Sequence, residues 1–527
     1  MSTLLLGLCT GMAAVRDERN IVTPMLPHSP KLAQQASRVV LNGYNATELY
    51  SGFFTIDAPT NSHTYFLFSK AASRREDAPV LLWLNGGPGA SSLIGFFTEL
   101  GPFGISDTLE IVPRAVHWNL DAHLLALDNP LGTGFSFTGV ERRMATNQTT
   151  IGADLYEALQ QFFDLFPNLR ANPFYATGES YAGKYIPAVA HTIHMRNIGA
   201  SAHRKIKLMG IAIGDGAFDP PSQMTGFGPL LFSLGMADTR DVQKYGEYDE
   251  KFHAALARGD AVGAFHVFDE ELNGDYFPNT YYANTTKMGS NYFNFATRPS
   301  IGLGAGEAFP RWLNTPQVAE ALHVGSTNYT IYNQSVETKL IGDWVVGVVP
   351  WLEVLMEHYH VLIYSGQNDI ILGPSGTQRA MDKLQWSGAR EYASAPTLPM
   401  FMKPTDETSD LAGYVRQAKS MKGPRIRGPA GSSSPTLSYV VLRGCGHMVP
   451  QDQPLRAYEM LRRFLVPMAP FSKSVDHSGP TNEGSVPALS LVPEGSPPSS
   501  RPASGLVQKA EQMPSVIPAG VPRFSRS

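Results

Sequence analysis

The stretch FYATGESYAGKY (residues 174–185) decides how the chain folds. Its first four residues are apolar or β-branched, short enough for a buried strand, and from Ala182 onward apolar residues recur at three- and four-residue spacing, as in a helix. Between the two lies Gly-Glu-Ser-Tyr-Ala, a G-x-S-x-G-like turn with Ala182 in place of the last glycine. A sharp strand-to-helix turn exposes the serine hydroxyl, which makes Ser180 a candidate nucleophile. A serine at a helix start is also an ordinary N-cap, and the motif alone does not separate the two. Glu179 poses a further question, because a carboxylate beside Ser180 would oppose a developing oxyanion unless it is structural or carries a proton.

Working outward, IYSGQNDIILG places Asp369 just beyond a strand-like run, and VVLRGCGHMVP places His447 just beyond the last one. Serine, aspartate and histidine in this chain order, each at the C-terminal edge of a strand, are the α/β-hydrolase arrangement. The histidine would take the serine proton, and the aspartate would fix its tautomer and stabilise the imidazolium. Singly, Asp369 could cap a turn and His447 could be a satisfied core histidine; the order of all three favours chemistry. The segment LLWLNGGPGASSL supplies a Gly-Gly pair straight after a strand, where backbone can approach a substrate closely. The amides of Gly87 and Tyr181 are the expected oxyanion donors, against the plainer reading of a Gly-Pro turn.

The pattern predicts buried strands at residues 80–84, 124–127, 174–177, 206–213, 361–364 and 437–442. Helices are predicted at 154–166, 182–197, 351–360 and 454–465. The expected fold class is α/β: a mainly parallel central sheet with helices on both faces, built from residues 35–217 and 343–470. Between 218 and 342 the strand signal fades into aromatic, Gly- and Asn-rich sequence with one helix-like run (243–260), expected to be an inserted, mostly helical cap. Residues 471–527 are rich in Pro, Ser and Gly and are expected to be a disordered tail. Residues 1–14 hold a short apolar run followed by small residues, the outline of a secretory signal without its positive flank.

Across 527 residues the hydrophobic share is 43%, the charged share 17% and the formal charge −4, an ordinary globular composition with no basic field for nucleic acid. No further apolar run approaches the ~20 residues needed to cross a bilayer. Asn-x-Ser/Thr triplets at Asn45, Asn147, Asn284, Asn328 and Asn333 would accept glycans on a secreted chain. The only cysteines are Cys9 and Cys445, so removal of a signal leaves no intramolecular disulfide.

Taken together, WLNGGPGASSLIGFFTELGPF, LALDNPLGTGFSFT, TGESYAGKYIPA, IAIGDG, YSGQNDII and GCGHMVPQDQPLRA resemble the serine carboxypeptidases. GIAIGDG, VLIYSGQNDIIL and GHMVPQDQPLRAYEM are most similar to the vitellogenic-like branch. The resemblance implies removal of C-terminal amino acids from peptides or proteins at acidic pH through an acyl-enzyme, without metal or cofactor. It makes Ser180, Asp369 and His447 the triad and Gly87 and Tyr181 the oxyanion hole. Trp83, Asn85, Gly86, Glu99 and Glu179 match positions that hold the substrate's terminal carboxylate, and Met448 matches a residue near the leaving amino acid. Residence in the secretory pathway, lysosomal or extracellular, follows, and homodimerisation stays open. The chain departs from the family at Ala90 and in lacking the cysteines for its disulfides. An insertion, KGPRIRGPAGSSSP (422–435), reads as a surface loop open to proteases. Two other readings share the scaffold: an acyltransferase, in which an alcohol intercepts the acyl-enzyme, and a non-catalytic protective or binding protein. If Glu179 lies near Glu99 and Asn85, the two carboxyls should share a proton and donate to the substrate carboxylate.

Overall fold

Runs such as VLLWL bury every residue, which is what a strand covered by helices on both faces requires. The computed structural model describes residues 19–297, 308–403, 409–428 and 431–466. The expected signal (1–14) and tail (471–527) lie outside the described residues. Eleven strands form one sheet: β1 Arg38–Leu41, β2 Tyr44–Asp57, β3 Ser62–Ser69, β4 Val80–Leu84, β5 His123–Leu127, β6 Phe174–Glu179, β7 Leu208–Gly214, β8 His360–Gly366, β9 Leu398–Phe401, β10 Leu411–Lys419 and β11 Thr436–Leu442. Their spatial order is β1-β2-β3-β5-β4-β6-β7-β8-β11-β10-β9. The six strands from β5 to β11 in that order run parallel. Antiparallel strands flank them on both sides.

All six predicted strands are present and form this parallel centre. The flanking strands were not anticipated: β3, SHTYFLFS, is buried throughout but opens on three polar residues, and β10, LAGYVRQAK, interleaves buried and exposed ones. Such half-covered strands carry a weaker signal than strands buried on both faces.

Successive side chains of β4 point to opposite faces, so Val80, Leu82 and Leu84 join one apolar cluster while Leu81 and Trp83 join the other. The helices that position the site are α1 Gln148–Leu165, α2 Ala182–Asn197, α3 Thr239–Ala257, α4 Ala261–Phe268, α5 Gln334–Trp344, α6 Val349–His358 and α7 Pro454–Leu465. Helices α1 and α2 cover the first cluster and α7 the second. Among the described residues none of the eleven strands falls between 218 and 342. Helix α3 starts with a reciprocal Asp238–Asp241 capping box, and Phe265 and Phe268 of α4 pack on Trp344 at the end of α5. The 422–435 insertion includes a short hairpin, Ile426–Gly428 against Gly431–Ser433, with Lys422 and Arg425 exposed before it.

The interior holds acids whose pKa burial raises: Glu99 and Asp128 to about 7, Glu337 to about 9. Burial also pushes three histidines, His117, His123 and His360, down to about 4. An acid raised above its unfolded value stabilises the fold at low pH and loses that contribution as pH rises through the folded pKa. A depressed histidine acts oppositely, but only below about 6.5, its unfolded value. From pH 6.5 to about 8 these histidines are silent and the acids act, so stability falls; only above about 8 does Lys184, its ammonium lowered to about 8 by burial, act in the opposite sense. Thermal unfolding is expected ~5 °C lower at pH 8.5 than at pH 6.5, and an equal or higher midpoint at pH 8.5 would contradict this assignment.

Candidate active site

Ser180 stands at the tip of the central strand β6 with φ +62°, a left-handed conformation costly for a side-chain-bearing residue. Its backbone is pinned on both sides: Ser180 N donates to Gly214 O at 3.0 Å, and Ser180 O accepts from Gly183 N at 2.8 Å and Ala217 N at 3.0 Å. The Gly86–Gly87 loop after β4 lies against this turn. A Cβ on Gly86 would sit 2.3 Å from Tyr181 N and 2.8 Å from Ser180 Cβ, so only glycine permits the approach that sets this loop beside the Tyr181 amide.

Strands β8 and β11 are parallel neighbours, so the loops that follow them emerge side by side. Gln367 N donates to Leu442 O at 2.9 Å and Asn368 N to Cys445 O at 2.8 Å, fastening one loop to the other. His447 Nδ1 then donates to Asp369 Oδ2 at 2.8 Å, while Asp369 Oδ1 accepts from Ile371 N at 3.0 Å. His447 Nε2 is buried and carries no hydrogen bond, a free acceptor on a residue that lines the same cavity as Ser180. Phe293 holds the imidazole from the 218–342 segment: its carbonyl accepts from His447 N at 2.7 Å and its ring centroid lies 4.9 Å away. The sequence reading did not find Phe293, since an aromatic residue in an aromatic-rich insertion has no distinguishing mark.

A third acid, also missed, adjoins this pair. Asp215, at the end of β7 with φ +42°, accepts from Gly366 N at 2.9 Å through Oδ1, while its buried Oδ2 is unpartnered. One oxygen each of Asp215 and Asp369 and a ring nitrogen of His447 lie within 4.8 Å of one another. Burial first, and the Asp369 charge second, push the Asp215 carboxyl well above the usual range. The available signal was a charged residue ending an apolar parallel strand, where such sheets present functional groups.

The cavity measures about 1120 Å³, and Asn85, Gly86, Gly87, Glu179, Ser180, His447 and Met448 all line it. Asn85 Nδ2 donates to Glu179 Oε1 at 2.8 Å and more weakly to Glu99 Oε1 at 3.4 Å. Its Oδ1 accepts from Trp83 Nε1 at 2.8 Å and from Gly95 N at 2.9 Å. Burial raises Glu99 to about 7; burial first and the Glu99 charge second raise Glu179 well above the carboxylate range. The two carboxyls also hydrogen-bond to each other. Two of the expected carboxylate-site residues therefore stand back from the cavity: Trp83 and Glu99 do not line it. The Trp83 indole N–H is spent on Asn85, and Glu99 meets the lining residues Asn85 and Glu179 from behind.

Two cations, the half-buried Arg114 and the buried Lys184, brace this wall. The Arg114 guanidinium donates to the carbonyls of Phe97, Gly101 and Phe103 around the wide turn Gly95–Leu100 that carries Glu99. Lys184, in the first turn of α2, pairs with Asp343 of α5 at 2.6 Å, and the Tyr181 hydroxyl donates to the same carboxylate at 2.7 Å. The tyrosine whose amide adjoins Ser180 is thus tied to α5, the helix that leads out of the 218–342 segment. Of the triplet asparagines, Asn45, Asn147, Asn284 and Asn328 are exposed. Asn333 is half-buried, and its Nδ2, the atom a glycan would occupy, donates to Gly132 O at 2.7 Å.

This geometry defines a class before it defines a substrate: a serine hydrolase of the α/β-hydrolase fold. The chain belongs to the serine carboxypeptidase family, whose model matches residues 41–466; members are peptide hydrolases. It is 39% identical over 419 residues to the probable serine carboxypeptidase CPVL of Homo sapiens, covering 79% of this chain and 83% of that one. It is 35% identical over 446 residues to the vitellogenic carboxypeptidase of Aedes aegypti, covering 84% and 89% respectively. Among solved structures it is similar to Kex1(delta)p, a prohormone-processing carboxypeptidase from Saccharomyces cerevisiae, with a TM-score of 0.69 over 82% of this chain and 96% of that one. At 21% identity that likeness is one of fold. No helix among the described residues is long and apolar enough to cross a membrane.

Proposed function

We propose that the chain releases C-terminal amino acids from peptides at acidic pH, with Ser180, His447 and Asp369 as its triad. Ser180 Oγ attacks the last peptide carbonyl while His447 Nε2 takes its proton. The amides of Gly87 and Tyr181 hold the oxyanion. His447 then passes the proton to the departing nitrogen; water, activated by the same imidazole, attacks the acyl-enzyme and frees the shortened peptide as a carboxylic acid, with the proton returned to Ser180 Oγ. Asp369 holds the Nδ1 proton and stabilises the imidazolium throughout. Residues 218–342 serve as the cap over the catalytic edge of the sheet and supply Phe293. The protein resides in the secretory pathway, lysosomal or extracellular, with glycans on the four exposed triplet asparagines.

The observation that carries this reading is the Asn85–Glu179–Glu99 network beside Ser180. Two buried carboxyls this close keep a proton between them, which lets Glu179 donate to a substrate carboxylate instead of repelling it. Both pKa values are raised, Glu99 to about 7 and Glu179 well above the carboxylate range, so the pair is protonated at acidic pH and gives up its protons as pH rises. The Michaelis constant for a blocked dipeptide is accordingly expected to rise ~10-fold or more between pH 5 and 8. Glu179→Gln donates without titrating and is expected to flatten that rise. A variant whose Michaelis constant climbs as steeply as the wild type's would refute the role given to Glu179.

A further inference from the structure

Asp215 follows β7, which lies between β6, the strand ending at the Ser180 turn, and β8, the strand leading to Asp369. Backbone and side chain are both fastened to β8: the Asp215 amide donates to Tyr364 O at 2.8 Å, and Oδ1 accepts from Gly366 N at 2.9 Å. The residues around it grip the nucleophile turn. Gly214 O accepts from Ser180 N and Ala217 N donates to Ser180 O, both at 3.0 Å. The segment 214–217 thus joins the turn that carries the nucleophile to the loop that carries the acid.

Among the described residues no N–H or hydroxyl donates to the second oxygen, Oδ2, which is buried. The group within hydrogen-bond reach of this carboxyl is the Asp369 carboxylate, and the two acids are 0% and 1% exposed. The other titratable groups that face Asp215 are His447, Glu179 at the end of β6, Tyr364 on β8, Tyr439 on β11 and Cys445 just after it. No lysine or arginine is among them. Two buried carboxylates in contact repel unless one carries a proton, and burial together with the Asp369 charge favours the protonated form of Asp215. Asp369 has room for such a donor. Its Oδ2 accepts from His447 Nδ1 and its Oδ1 from Ile371 N, while each oxygen has two lone pairs.

We propose that Asp215 is a positioning residue whose carboxyl O–H donates to Asp369, so that the acid facing His447 is held by a second donor besides the imidazole. The proposal rests on the triad reading and adds to it a residue that touches neither substrate nor the reacting atoms. A neutral donor also draws off part of the Asp369 charge. Removing it leaves a fuller charge on Asp369, which favours the imidazolium and keeps the base protonated to higher pH.

The test compares wild type, Asp215→Asn and Asp215→Ala, each as the full chain, on a blocked dipeptide from pH 4 to 8. Active sites are counted by fluorophosphonate titration, so that a poorly folded fraction does not enter kcat. Asparagine keeps both contacts, with Oδ1 for Gly366 N and Nδ2 as donor to Asp369, and it suits the φ of +42° as aspartate does. This variant is expected to stay within ~3-fold of wild type in kcat with the acid limb of kcat/KM in place. Asp215→Ala is expected to lose ~10-fold or more in kcat at a nearly constant Michaelis constant, and to move the acid limb up by about half a pH unit. Loss of structural support alone would lower the count of active sites without moving the limb. An alanine variant with the wild-type kcat and limb, or an asparagine variant as impaired as the alanine one, would overturn the proposal. So would a limb that moves to lower pH in either variant, since that marks an ionised Asp215. In each of these cases an active wild type leaves the triad reading standing. A wild type that neither hydrolyses the dipeptide nor reacts with the fluorophosphonate would overturn both.

Discussion

Ser180→Ala is expected to lower kcat on a blocked dipeptide by about 10⁵- to 10⁶-fold, with the Michaelis constant within a few-fold of wild type. The size follows from the route: without the hydroxyl no acyl-enzyme forms, and only binding and the oxyanion donors are left to act on water's direct attack. The constancy of binding follows from the geometry. The Asn85–Glu179–Glu99 network hydrogen-bonds within itself and borrows nothing from the Ser180 side chain. A fluorophosphonate probe is expected to label the wild type at Ser180 and to leave the variant unlabelled. Near-normal turnover in the variant would place the nucleophile elsewhere; an unlabelled wild type would favour a binding protein on the same fold.

Asp369→Asn is expected to cost about 10⁴-fold in kcat, again with little change in binding. In the wild type Asp369 Oδ2 accepts the Nδ1 proton of His447, which leaves Nε2 as the acceptor for the serine proton. An asparagine amide can present a donor to Nδ1 instead, which moves the ring proton to Nε2 and disables the base. Asp215 sharpens the test. Its carboxyl, raised well above the usual range by burial first and the Asp369 charge second, favours the protonated form, so Asp215→Asn is expected to change the charge beside His447 little. The acid limb of kcat/KM should then stay where it is. An ionised Asp215 would show instead as a displacement of that limb when its charge is removed. Losing less than 100-fold in Asp369→Asn would contradict the role of Asp369.

The parallel centre of the sheet was legible because strands covered on both faces are written as short apolar runs, and β4 and α2 fall at their predicted limits. Strands β9 and β10 were not, since a half-covered edge mixes polar and apolar residues. At the site, Ser180, Asp369 and His447 were legible because each follows a strand and their chain order is distinctive. What stayed hidden depends on contacts between distant segments. Trp83 occupies an expected position yet turns its indole to Asn85, a matter of side-chain direction that no motif encodes. Asp215 and Asp369 are 154 positions apart and meet only because β7 and β8 are neighbours. Glu337 looked like one more polar residue on a helix, and only folding shows that it is fully buried beside Tyr332 and Asp275.

The central claim is that a proton shared by Glu179 and Glu99 makes the free end of a peptide the feature this site reads. The most direct measurement compares one peptide with a free C-terminal carboxylate and with that carboxylate converted to an amide, following released products by mass at pH 5 and pH 8. The account predicts stepwise loss of single C-terminal residues from the free acid at pH 5, with kcat/KM about 100-fold above the amide, and a ratio that shrinks towards one by pH 8. Equal cleavage of the two peptides at pH 5, or cuts at internal bonds, would contradict it.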